Sequence, residues 1–171
     1  MDQAAIDTGV LLLRVLVGIP FSLHGMQKLF GWFGGGGLDG TAKWFRSLGF
    51  GDGRVAAVAA GSSELAGGLG LALGLLTPLS AAAMIGTMTT AALVNNAENG
   101  FWSVSKGWEL NGYLVVVAWA VATTGPGRWS LDHALGIDDA VGVPLSGVLV
   151  GLVALVVGVA GGWGRWATRE P

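Results

Sequence analysis

The chain has no cysteine and a single tyrosine in 171 residues. Without thiols it can form no disulfide, no thiolate metal site and no intrinsic thiol redox couple. Any electrons it handles must therefore sit on a bound cofactor or a partner. Charge is also scarce: 12% of residues are Asp, Glu, Lys or Arg, against about 25% in soluble domains. The formal net charge of −2 leaves no electrostatic footprint for nucleic acid. The opening "MDQAAIDTG" carries acids where a secretory signal has a basic region, so the first apolar run is expected to be a retained span. There is no P-loop, nucleophile elbow or metal-ligand spacing, and His24 and His133 fall on opposite sides of the expected topology.

What the chain does have is apolar sequence: 52% hydrophobic residues, a mean hydropathy of +0.63 and 31 glycines. Many glycines lie inside apolar runs, where small residues let membrane helices approach closely. Spans of roughly 20 apolar residues are needed to cross a hydrocarbon core of about 30 Å. Five candidates are expected, at 9–31, 55–76, 79–96, 110–124 and 140–162. A "TP" turn at Thr77-Pro78 separates the second and third, and "GPG" at 125–127 ends the fourth.

The connecting segments have interfacial character. In "DGTAKWFRSLGF", Thr41 is expected to cap a short helix with Trp44, Phe45 and Leu48 on one face and Lys43 and Arg46 on the other. The loop 97–109 carries two tryptophans, which favour the headgroup level, and Ser130 is expected to cap a short helix in "GRWSLDHALGID". Lys43, Arg46, Lys106, Arg165 and Arg169 fall on one side and Arg128 on the other, with Arg14 read as a boundary residue snorkelling outward. The positive-inside rule then places the N-terminus outside and the C-terminus in the cytoplasm.

Ionisable groups inside spans are rare and usually face a bundle interior or a wet cavity. His24 and Glu64 both fall roughly 10–14 Å from the cytoplasmic face at 1.5 Å per helical residue. Gln27 and Lys28 share a helix face with His24, at i+3 and i+4. Asn95 and Asn96 close the third span, and Glu109 and Asn111 open the fourth, at the same end. Four spans thus contribute polar groups at one depth, which points to a ligand pocket formed by His24, Gln27, Lys28, Glu64, Asn95, Asn96 and Glu109. Four of these residues also have a structural reading: Lys28 as a snorkelling lysine, Gln27 and His24 as satisfied packing groups, Glu64 as a neutral buried acid.

The stretch "HGMQKLFGWFGGGGLDGTAKWFRSLGF", with "SSELAGGLGLALGLLTPLSA", "NGFW", "GWEL" and "TTGPGRWSLDHALG", resembles the DoxX family of small bacterial membrane proteins. The resemblance spans about 14–136 and implies an all-α membrane protein with a four-helix transmembrane bundle over 1–136 and a short interfacial helix after the first span. Residues 137–171 lie beyond that core and are expected to be a C-terminal extension with one additional, fifth transmembrane helix. It implies by position that His24, Gln27, Lys28, Glu64 and Glu109 are the family's polar set. Family members resemble the membrane subunit of a thiosulfate:quinone oxidoreductase, or are associated with superoxide dismutase and a sulfurtransferase in a membrane complex.

The reading that follows is a membrane subunit of a redox or oxidative-stress system, binding a quinone or similar small hydrophobic molecule and working with a partner redox protein in the lipid bilayer. A small transporter or channel, or a scaffold docking a cytoplasmic partner through 32–53 and 97–109, are the alternatives. The Gly- and Val-rich fifth span also offers a surface for a homo-oligomer.

Overall fold

The computed structural model describes residues 2–140 and 147–170; part of the expected fifth span, 141–146, lies outside the described residues. Its helices are α1 (Gln3–Phe30), α2 (Gly37–Ser47), α3 (Gly53–Leu73), α4 (Thr77–Ala91), α5 (Glu109–Thr124), the one-turn α6 (Leu131–Ala134) and α7 (Ile137–Ala140), and α8 (Gly147–Ala167). No strand occurs among the described residues. The chain is an all-α integral membrane protein. Four helical stretches, Gln3–Phe30, Gly53–Leu73, Thr77–Asn99 and Gly147–Ala167, are long and apolar enough to cross a membrane.

The helix ends follow local chemistry. α1 begins six residues before its expected start, because the Asp2 side chain accepts from the Ala4 amide and caps the first turn. It ends at Gly31, whose φ of 73° is the left-handed conformation that glycine tolerates. α4 continues through a π-helical turn, Ala92–Asn96. α5, expected as a span, is shorter than these four stretches at 16 residues, about 24 Å, and is not one of them. It starts only after the turn at Gly107 and is stopped by Gly125-Pro126-Gly127, yet Leu110, Tyr113 and Val116 still face outward.

α1 packs along α3, while α4 sits between α3, α5 and α8. Lipid supplies no hydrophobic drive between helices, so close contact depends on small residues. A methyl group on Gly18 would fall 2.5 Å from the Gly68 carbonyl oxygen. Between α4 and α8, a methyl on Gly162 would fall 2.5 Å from the Gly86 oxygen, and Thr90 Oγ1 donates to the Gly162 carbonyl at 3.2 Å. Gly147 and Gly151 of α8 lie against Thr123 of α5, so the packed glycines of this helix are covered by α4 and α5 together, and Val148, Leu152, Val156 and Val159 form its exposed side. Phe21, Leu71, Met84, Ile85, Val121 and Ala154 make the main core.

α2 lies across the ends of α1 and α3, over a second small core of Ala42, Phe45, Phe50, Ala56 and Ala57. Thr41 does not cap it. The helix begins earlier, at Gly37, and Thr41 is buried in its second turn, with Oγ1 donating to the Lys28 carbonyl at 3.3 Å. Phe45 points inward as expected, whereas Trp44 remains partly exposed. Ser130 does cap α6, accepting from the His133 amide at 3.1 Å.

Candidate functional site

Two glycines bring the site together. Gly25 of α1 lies against the Gly61 carbonyl and the Leu65 backbone of α3. Lys28 stands one turn further along α1, and Glu64 lies on α3 between Gly61 and Leu65. Lys28 Nζ donates to both Glu64 carboxylate oxygens, at 2.7 and 2.6 Å. Glu64 is 5% exposed and Lys28 22%. The ammonium therefore turns inward to a buried carboxylate instead of snorkelling to water, since an unpaired charge there would carry a large desolvation cost.

His24 and Gln27 form an adjoining pair on α1, with Nδ1 and Oε1 3.0 Å apart. The Gln27 amide nitrogen donates to the Phe33 carbonyl at 3.2 Å, which directs its oxygen toward His24. Nδ1 must then carry the proton, leaving Nε2 as acceptor in the neutral ring or as second donor once protonated. Gln27 thus fixes the histidine and the turn after α1, while His24 faces the cavity.

That cavity has a volume of about 610 Å³, within the range of about 300–1,000 Å³ for small-molecule sites. It follows α4 from Leu79 to Asn95, about 24 Å of helix. Phe21, Ala60, Ala82, Ala83, Leu114 and Val157 supply apolar wall. Ser63 and Thr87, 3.1 Å apart, form a hydroxyl pair part-way along. His24, Lys28, Glu64, Asn95, Asn111 and Arg165 are its polar lining, with Trp44 of α2 nearby. The result is an apolar chamber with polar groups gathered toward one end, suited to an amphipathic molecule.

The structure brings His24, Lys28, Glu64 and Asn95 into one lining and leaves Gln27 behind His24. Asn96 and Glu109 lie outside that lining and hold the loop 97–109 instead. Asn96 Nδ2 donates to the Lys106 carbonyl at 2.7 Å, and Glu109 Oε2 accepts from the Ser103 amide at 2.8 Å. The Ser103 N–H holds the Glu109 carboxyl, just outside the apolar part of α5, below the usual carboxylate range. Arg165, Ser63 and Thr87 were not singled out by the sequence. Only the arginine, in the last turn of an apolar helix, carried a readable signal.

A second buried polar group lies at the opposite end. Arg14 is fully buried, not turned outward, and donates to the Trp129 carbonyl. Asp132, 2% exposed, interacts electrostatically with it and accepts from the Leu76 and Thr77 amides and the Thr77 hydroxyl at 2.7–2.9 Å. Asp7 accepts from the Arg128 amide at 3.2 Å. The segment after α5 is thereby bound over the α3–α4 turn and the start of α1.

The DoxX family profile matches residues 9–97, just over half of the chain, from the first turns of α1 to the end of the α4 span. The chain belongs to the DoxX family. The matched region holds His24, Gln27, Lys28, Glu64, Asn95 and Asn96; α5 and α8 lie beyond it. A curated relative from Bacillus subtilis, described as "Putative oxidoreductase CatD", is 36% identical over 100 residues, covering 54% of this chain and 69% of that protein. No solved structure matches.

Proposed function

We propose that this DoxX-family membrane protein binds an amphipathic, quinone-like molecule in the α4 cavity and serves as a membrane subunit of a redox or oxidative-stress system. The observation that carries this reading is the buried Lys28–Glu64 pair beside His24 within a long apolar cavity. A quinone needs a slot for its hydrocarbon tail, donors for its carbonyl oxygens and a proton source. The alanine-rich wall supplies the first. Lys28 Nζ supplies a donor, and His24, its Nδ1 held by Gln27, presents Nε2 to the cavity for proton exchange with the ligand. With no thiols in the chain, electrons would come from or go to a partner redox protein. The description of the Bacillus subtilis relative as an oxidoreductase is in keeping with such work.

The same reading sets the protein in a bacterial plasma membrane with the cavity's polar end toward the cytoplasm. Lys43, Arg46, Lys106, Arg165 and Arg169 belong to the segments on that side. It treats 1–136 as the family bundle and 137–171 as an extension. The buried cluster of Arg14, Asp132 and Thr77 at the other end weighs against a through-path for ions or solutes.

The test is binding of a decyl-tailed benzoquinone to the full chain in nanodiscs, read as a melting-temperature shift. The wild type should be stabilised saturably, and His24→Ala should weaken the shift. No shift in the wild type, or one that His24→Ala leaves unchanged, would overturn the proposal.

A further inference from the structure

Resting on the reading of the cavity as an amphipathic ligand site, we propose that Arg165 anchors a negatively charged head group, so that the cavity prefers an ionised ligand to its neutral counterpart. The charge balance of the lining points this way. Lys28 and Glu64 neutralise one another at 2.6 Å. Arg165 also lines the cavity, and among the described residues it has no carboxylate within ion-pair distance. The lining therefore carries one uncompensated positive charge.

The guanidinium is also held in place. Its carbon lies 5.6 Å from the centre of the buried Phe50 ring. Such a face contact leaves the N–H groups at the guanidinium edge available to an acceptor. The end of the chain is tied to the same turn, since the Glu170 amide donates to the Gly49 carbonyl at 2.8 Å. A half-buried, pre-oriented arginine suits a carboxylate, phenolate or enolate oxygen better than a flexible lysine would. Arg165 comes from α8, outside the family-matched residues 9–97. Preference for an anionic head would then be a property added by the C-terminal helix to a pocket built by the matched region.

The probes are an alkylated hydroxynaphthoquinone that is ionised at neutral pH and its neutral methyl ether, with equal tails. Binding is measured to the full chain in zwitterionic nanodiscs and referred to the lipid-partitioned concentration. A hydrogen bond to a charged group is worth about 1.5–3 kcal/mol, so the wild type should bind the ionised probe at least about tenfold more tightly. Arg165→Gln should abolish that preference by weakening the ionised probe far more than the ether, and Arg165→Lys should retain part of it. Acidifying the wild type until the probe protonates should also erase the preference, a check independent of how the variants fold. Equal affinity for both probes in the wild type, or a preference that survives in Arg165→Gln, would overturn the inference while leaving the cavity reading intact. Failure of both probes to bind would overturn the cavity reading and this inference with it.

Discussion

A methyl group on Gly25 would sit 2.6 Å from the Gly61 carbonyl oxygen and 2.5 Å from the Leu65 amide nitrogen. The obstacles are backbone atoms, which cannot turn aside as a flexible side chain could. This contact sets the α1–α3 separation at the level of Glu64 and one turn before Lys28, and so it sets the geometry of the ion pair.

Gly25→Ala should therefore destabilise the protein by about 1–3 kcal/mol, the usual range for forced overpacking. Gly9→Ala, where nothing lies within 4 Å of the added carbon, should be close to neutral or slightly stabilising. Thermal unfolding of both variants in detergent measures the contrast. Equal melting temperatures would mean that the helices are not held at this distance.

The Lys28–Glu64 pair should show strong coupling. Lys28→Met leaves a buried carboxylate without its cation, and Glu64→Leu leaves an ammonium without its anion. Each single change should cost about 3 kcal/mol, and somewhat less for Glu64→Leu because Lys28 is the more exposed partner. The double variant should recover most of the loss, since an apolar pair of similar size is tolerated where a lone charge is not. A double-variant cycle on melting data checks this; additive losses would show that the two charges act independently.

At the far end, Asp132→Asn should be costly even though it preserves shape. One amide NH₂ would replace an acceptor oxygen among three donors, and Arg14 would lose its nearby negative charge. A loss of about 2–4 kcal/mol is expected from the broken buried network. Because this end lies away from the cavity's polar residues, ligand affinity measured below the melting transition should change little. A stable variant, or one with selectively altered affinity, would contradict this division of roles.

Filling the cavity separates binding from folding. Ala60 lines the apolar wall and is partly buried. Ala60→Leu should lower affinity for a decyl-tailed benzoquinone at least about tenfold by occupying tail space, while the fold is kept. Equilibrium binding alongside circular dichroism reads both quantities.

Much of this arrangement is legible in the chain, and the exceptions have physical causes. Helical period and span depth place His24, Lys28 and Glu64 together, because two antiparallel neighbours with fixed rise leave little freedom. The same arithmetic puts Asn96 and Glu109 at the correct end but cannot show where their side chains turn. The π-helical turn at Ala92–Asn96 and the hydrogen bonds of the loop 97–109 decide that. Arg14 departs from its expected outward orientation because its partners come from far along the chain: the Trp129 carbonyl and Asp132 reach it only once the segment after α5 folds back. Thr41 departs from its expected capping role because the helix around it starts at a glycine, and its hydroxyl serves the end of α1 instead. Arg165 does not stand out as a site residue in the sequence, because a cation in the last turn of a span is ordinarily an interfacial anchor.

The most direct measurement is photo-crosslinking of a quinone carrying a photoreactive group on its ring, in the full chain in nanodiscs, followed by peptide mapping. Saturable labelling is expected at the cavity's polar end, on peptides containing His24, Lys28, Glu64 or Asn95, competed by unlabelled decyl-tailed benzoquinone and reduced in Ala60→Leu. Labelling spread without competition over the exposed residues of α8, such as Leu152 and Val156, would contradict it.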